Sequence, residues 1–330
     1  MTARRFVTPL LACAMAALVS LGGTLAQDKK GDDKKKDDKK KVEPKQPPKP
    51  PVPPTAENVK YGPHPRNVLD FFQAKSDKPT PLVFCIHGGG WRNGDKSSYY
   101  GSVKGFLDKG ISVATINYRL IDLKAGATNT DPPVKAPLED AARALQFVRS
   151  KAKEWNIDKV KIGATGGSAG ACSSLWLAFH DDMADPKSAD PVARESTRLY
   201  CAAVNGAQVT LDPKDPREWL PNYIYGAHAF GLANLDEVEK NREKLAPWIK
   251  EYSPISHVTK DDPPIALYYV GVKGAKVGET HPDPTHSPIL GIKLMEKLKA
   301  TGVDATFHSA TEPNSQFPTS QAYLIDRLTK

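Results

Sequence analysis

Gly166-Gly167-Ser168-Ala169-Gly170 follows a short apolar run, Val160 to Ala164, and leads into a helix-like stretch from Ala171 to Ala178. A serine at a strand-to-helix reversal sits on strained backbone that pushes its hydroxyl clear of a sheet, as a nucleophile requires. Glycines two positions to either side let neighbouring backbone close around the reversal, where side chains would collide. At ordinary Gly and Ser frequencies such a pattern arises by chance in roughly one in ten chains of this length, so its setting carries the argument. That setting includes His87-Gly88-Gly89-Gly90-Trp91, which ends another apolar run about 80 positions earlier. Acyl transfer needs N–H groups aimed where a carbonyl oxygen turns negative, and a glycine loop brings backbone there with no side chain in the way.

The elements that must hold these groups are legible as an alternation. Strand-like runs occupy Asn67 to Ala74, Pro81 to His87, Ile111 to Tyr118, Val160 to Ala164, Leu199 to Val204, Pro264 to Val270 and Val303 to Phe307. Helical spacing separates or closes them at Ser98 to Lys109, Leu138 to Trp155, Ile289 to Ala300 and Ser320 to Leu328. Apolar strands alternating with helices predict a mostly parallel central sheet covered on both faces, an α/β fold. The rhythm breaks at 206–259, where Trp219, Tyr223, Tyr225, Phe230 and Trp248 lie among prolines and charges. This region reads either as a small cap supplying an aromatic wall or as a helical excursion packing its own core.

With His87-Gly-Gly-Gly-Trp91, Asn117-Tyr118-Arg119 after a strand, and Gly166-Gly-Ser-Ala-Gly170 in this order, the chain resembles an α/β-hydrolase of the carboxylesterase kind. The likeness is to bacterial esterases related to feruloyl and acetyl-xylan esterases, and it is firmest between residues 80 and 175. The resemblance implies Ser168 as nucleophile. It implies an oxyanion hole from the N–H groups of Gly89, Gly90 and Ala169, with Gly88 shaping the turn and His87 a strut rather than a base. It also implies a triad ordered Ser, then acid, then His.

The acid is expected after the run Pro264 to Val270. Asp283, in His281-Pro-Asp-Pro-Thr-His-Ser-Pro288, resembles the family's Asp-Pro turn, although it comes twelve residues after Gly271 and so marks an enlarged loop. Glu279 is the alternative. The histidine is expected around Ala310 to Pro318, which contains none. Three candidates remain: His286, which reaches Ser168 if the enlarged loop folds over it, with an acid from elsewhere orienting it; His308, at the end of the last strand; and His281. The triad expected is Ser168, Asp283 and His286. The other histidines, His64, His180, His228 and His257, read as structural or solvated, and their spacing suggests no metal cage. No phosphate-binding glycine loop is present and no cofactor is expected.

Residues 1–26 read as a secretory signal. Arg4 and Arg5 precede an apolar run from Leu10 to Leu21, and Thr24-Leu25-Ala26 offers a small-residue cleavage site. Residues 27–54, with ten lysines, six acidic residues and a run of prolines, have no apolar face to bury and read as an extended solvated linker. Of the formal charge of +8, the signal and linker together hold all but +2. The globular part, 55–330, is therefore near neutral, and the basic balance gives no argument for nucleic acid. The leader is either a plain spacer or an electrostatic tether to the cell envelope, and the protein is expected outside the cytoplasm, periplasmic or extracellular. Cys85, Cys172 and Cys201 sit singly in apolar runs and read as small buried hydrophobes, not a disulfide framework. Two functions remain open: an exported serine esterase for small acyl or polysaccharide-linked esters, and a catalytically impaired relative that binds ester or glycan at the surface.

Overall fold

The strand Thr80–Ile86 (β3) has no water-facing side: five consecutive residues, Leu82 to Ile86, are fully buried. A strand apolar on both faces belongs at the middle of a covered sheet. The structure, a computed structural model, describes residues 50–122, 131–271 and 276–330. Beside β3 lie Ser112–Ile116 (β4) and Ile157–Gly167 (β5), both parallel to it. Cys201–Asn205 (β6), Ile265–Tyr269 (β7) and Ala305–Ser309 (β8) continue the parallel array from β5. On the other side Val68–Phe72 (β2) pairs antiparallel with β4, and Ala56–Lys60 (β1) pairs antiparallel with β2. The order is β1-β2-β4-β3-β5-β6-β7-β8, which is the mostly parallel sheet expected, and the protein has the α/β-hydrolase fold.

Side chains alternate along each strand into two cores. Leu82, Phe84 and Ile86 face the larger one, covered by Lys135–Ser150 (α2), Ala169–Phe179 (α3) and Pro288–Thr301 (α7). Val83 and Cys85 face the smaller one, covered by Tyr100–Leu107 (α1) and Ser320–Thr329 (α8). The three described cysteines are free and buried within these layers. Residues 206–259 hold Lys214–Trp219 (α4), Leu235–Lys240 (α5), Arg242–Tyr252 (α6) and two 3₁₀ turns. Tyr223 and Phe230 are buried there in the larger core, while Trp219 and Trp248 pack against it. The aromatics thus pack into the body of the protein. The signal reading of 1–26, and the linker reading as far as residue 49, lie outside the described residues.

Two elements differ from the sequence expectation. The first strand is β1, not the run at Asn67: Ala-Glu-Asn-Val-Lys is polar and mostly exposed, as an edge strand tolerates, and its register is broken near Asn58 at φ +51°. The helix expected to run to Trp155 stops at Ser150. Trp155 then turns back to stack on Phe71 at 4.3 Å and 10°, a tertiary contact that outweighs local helical spacing.

Asp70, on β2, is fully buried and accepts hydrogen bonds from Lys96 Nζ at 2.5 Å, the Tyr100 hydroxyl and the Asn58 N–H. Lys96 begins the 3₁₀ turn Lys96–Tyr99, so this buried pair anchors the segment that carries Ser98 and Tyr99. Removing one partner of a buried ion pair strands the other charge, at about 3–5 kcal/mol. Asp70→Ala is expected to lower unfolding free energy by that amount in urea titration; a loss under about 1 kcal/mol would mean the pair anchors nothing.

Candidate active site

Ser168 joins the end of β5 to α3 with φ +52° and ψ −122°, backbone that a side-chain-bearing residue adopts only when its surroundings impose it. They do so here through packing. A Cβ at Gly166 would lie 2.1 Å from the Gly170 carbonyl oxygen, and one at Gly170 would lie 2.1 Å from that of Ile86. The Ser168 N–H donates to the Asn205 carbonyl at 2.9 Å, tying the turn to the neighbouring strand end. The serine is half-buried and lines a cavity of 780 Å³, walled by Ser98, Tyr99, Tyr268, Val270 and Pro282. It stands at the carboxyl ends of the parallel strands, where open α/β sheets bind ligands.

His286 meets it from the loop after β7. Nε2 lies 2.9 Å from Ser168 Oγ, and Nδ1 lies 2.8 Å from Asp283 Oδ2. The carboxylate accepts, so Nδ1 carries the proton and the Nε2 lone pair faces the serine hydroxyl. The carboxylate that orients this imidazole does not come from elsewhere, as expected, but is Asp283 in the same turn, three residues before it. Asp283 does two jobs: its Oδ1 also accepts the His286 N–H at 3.3 Å, capping the 3₁₀ turn Pro284–His286. Asx capping followed by proline at the first position is a local signal in Asp-Pro-Thr-His that makes the i, i+3 pair readable in retrospect.

Tertiary contacts then place this turn over the serine. Gly206, with φ +58°, forms its floor; a Cβ there would lie 3.3 Å from His286 Cδ2. Gln208 Nε2 donates to the Thr285 carbonyl at 2.8 Å. Asn222 donates to the His281 carbonyl at 2.7 Å and accepts its N–H at 3.0 Å, and His281 Nδ1 donates to the Asp283 carbonyl at 2.9 Å. His281 is thus a loop brace. Sequence reasoning missed Gly206, Gln208 and Asn222, which carry no pattern of their own. Glu279 is exposed, with Lys276 as its ion partner, away from the cavity lining. His308 lies on β8, where Nδ1 accepts the Asn314 N–H at 2.9 Å and the ring packs on Tyr268; it does not line the cavity.

The glycine loop after β3 is clamped beside Ser168. Gly88 lines the cavity, and a Cβ on it would lie 2.6 Å from the Gly167 carbonyl oxygen. Gly89 turns at φ +103°, its carbonyl accepting from the N–H groups of Arg92 and Asn93. Gly90 follows at φ +60°, with Tyr225 and His228 packed on its outer side. Ala169 opens α3, where N–H groups lack intrahelical acceptors. Trp91 Nε1 donates to Ser173 Oγ on α3 at 3.0 Å, linking the loop to the serine's own helix. In Asn117-Tyr118-Arg119, the Tyr118 hydroxyl donates to the His87 carbonyl at 2.8 Å, and Arg119 forms a forked pair with Asp140.

His87 is fully buried against Tyr118, with Nδ1 donating to the Gly88 carbonyl at 2.7 Å and Nε2 accepting from Arg66 Nη2 at 3.3 Å. Burial, with the nearby Arg66 charge adding to it, pulls its pKa down to about 4. The unfolded chain binds this proton near pH 6.5 and the folded one only near 4, so stability falls as pH drops through that window. The loss is on the order of 3 kcal/mol. His87→Asn, which keeps the donor to Gly88 and cannot titrate, is expected to flatten this limb in urea titrations from pH 7 to 4. An unchanged slope would place the acid sensitivity elsewhere.

The chain matches the BD-FAE family over residues 69–274. A probable isoprenylcysteine alpha-carbonyl methylesterase of Arabidopsis thaliana is 26% identical over 64% of this chain and 42% of its own length. Gut esterase 1 of Caenorhabditis elegans is 35% identical over 33% of this chain and 20% of its own. The chain spans less than half the length of these sequence relatives. Among solved structures, a truncated carbohydrate esterase from gut microbiota superposes with TM-score 0.63 at 21% identity, over 86% of this chain and all of that one. Esterase 2 of Thermogutta terrifontis, phosphonylated by sarin, gives 0.58 at 21%, over 85% and 94%. At such identities these likenesses speak for the fold. With more than half its length matched, and with the serine turn and glycine loop described above both inside the match, the chain belongs to the BD-FAE family.

Proposed function

We propose that the protein hydrolyses carboxylic esters through an acyl-enzyme on Ser168, with His286 as general base and acid and Asp283 as its orienting carboxylate. The observation that carries this reading is the unbroken relay from Ser168 Oγ to His286 at 2.9 Å and on to Asp283 at 2.8 Å. Nε2 takes the hydroxyl proton as Oγ bonds to the ester carbonyl carbon. The resulting oxyanion is held by the N–H groups of Gly89, Gly90 and Ala169, with Gly88 leaving room at the turn. His286 returns the proton to the departing alcohol oxygen, leaving an acyl-serine. Water then gives its proton to the same nitrogen and its oxygen to the acyl carbon, and the acid leaves as Ser168 regains its hydrogen. Names among the relatives favour carbohydrate-linked esters: besides the gut carbohydrate esterase, an acetyl ester-xyloside bifunctional hydrolase shares the fold. The cavity, at 780 Å³, suits an acylated sugar or another small ester. The binding-protein alternative drew its motive from the histidine missing after β8, and His286 supplies that group from another loop.

A fluorophosphonate probe is expected to label the wild type and not Ser168→Ala; a silent, folded wild type would overturn the reading. With p-nitrophenyl acetate, His286→Ala is expected to lower kcat on the order of 10⁴-fold or more and Asp283→Ala by about 10⁴. His308→Ala should keep kcat within about threefold. Equal loss in His308→Ala and retained activity in His286→Ala would reassign the base. We also propose export on the strength of the charged start, apolar run and small-residue site of the first 26 residues. Sequencing the amino terminus of the mature protein is expected to begin at Gln27; a retained Met1 would sink this.

A further inference from the structure

At the end of α3 opposite to Ser168, roughly 16 Å along the helix axis, stands a second constellation. His180 follows the last residue of α3, Glu251 lies in α6, and His257 ends the 3₁₀ turn Pro254–His257. One ring nitrogen of each histidine and a carboxylate oxygen of Glu251 lie within 4.8 Å of one another. They are 71 residues or more apart between α3 and the other two, so sequence spacing held no hint of the meeting.

The hydrogen bonds of the two imidazoles favour a cation. His180 Nδ1 lies 2.9 Å from the Asp181 carbonyl oxygen, and His257 Nε2 lies 2.6 Å from that of Glu251. A carbonyl only accepts, so each ring donates there and keeps its lone pair on the other nitrogen. Metal-binding histidines are oriented in this way, one N–H given to a backbone carbonyl and the opposite nitrogen left for the ion. His180 Nε2 then faces Glu251 Oε1 at 3.1 Å, an acceptor against an acceptor unless a positive species joins them. An added proton on His180 would do so, and so would a metal ion.

We propose that His180 Nε2, His257 Nδ1 and the Glu251 carboxylate bind one divalent transition metal, with zinc the best fit to two imidazoles and a carboxylate. Zinc holds nitrogen and oxygen at about 2.0–2.2 Å, which puts tetrahedral ligand atoms roughly 3.3 Å apart. The His180–Glu251 pair, at 3.1 Å, has this spacing already, and one ring nitrogen of His257 lies within 4.8 Å of both. The His180 and Glu251 side chains are 19% and 44% exposed, so the ion has an entry path and a water for its fourth position. The ion staples the nucleophile-bearing helix to α6 and the turn after it. It takes no part in ester cleavage.

The test uses the full chain without a histidine tag, stripped with EDTA, and titrated with zinc chloride by calorimetry at pH 7.5 with a magnesium control. The expected result is one zinc bound with micromolar or tighter affinity and a melting temperature raised by about 5 °C or more at saturation. His257→Ala and Glu251→Gln should each weaken binding by at least tenfold, and His286→Ala should leave it unchanged. Absence of saturable binding by folded wild type, or binding unaltered in His180→Ala and His257→Ala, would overturn the proposal and assign a proton to the His180–Glu251 contact. Neither readout depends on ester hydrolysis, so this site and the Ser168 reading stand or fall separately.

Discussion

The structure turns on one constrained residue, Ser168, whose backbone is held at φ +52° between the central strand and its helix. That conformation is unfavourable for a serine alone, and it persists because the backbone packed around the turn imposes it. The carbonyls of Gly170 and Ile86 stand where Cβ atoms would otherwise be, so the flanking glycines serve as space for neighbouring backbone. The Ser168 N–H is spent on Asn205, and the hydroxyl is left facing the cavity. Every other part of the site is arranged around that one exposed oxygen.

The proposed acid and base share a single turn. In most arrangements of this fold's chemistry two separate loops must be positioned relative to each other; here Asp283 and His286 form a local unit stiffened by Pro282, Pro284 and Pro288. The carboxylate that orients the imidazole also caps the turn that displays it. What remains for tertiary structure is one rigid placement, done by Gly206 beneath, Gln208 at Thr285 and Asn222 at His281. Under the proposed assignment the segment after β8 supplies no catalytic group, and His308 there braces its own loop through Asn314.

On the other side of Ser168, buried polar groups hold the glycine loop. Tyr118 reaches the His87 carbonyl, His87 braces Gly88, and Trp91 bonds to Ser173 on the serine's own helix. The residues after β4 do this alongside Asn117, which accepts the Lys96 N–H and so links the Asp70–Lys96 pair to the cavity wall. The amides proposed to hold the oxyanion need such rigid supports, because a donor that must move before it can bind loses most of its effect.

The sequence was enough for the parallel sheet, since uninterrupted apolar runs between amphipathic helices have few other ways to be buried. It was also enough for the serine turn and glycine loop, because only glycine permits the approaches those turns require. The edge strand Ala56–Lys60 escaped notice, being short, polar and defined only by its pairing with β2. Asp283 and His286 were legible as candidates, yet His281, His308 and Glu279 stood equal to them by residue type. Distance chose among them: a long loop has no sequence period, and its fold depends on contacts with Gly206, Gln208 and Asn222, which lie some 60 to 80 positions away. The local chemistry of each turn was thus written in its own residues, while the meeting of serine and imidazole, 118 residues apart, was decided by packing.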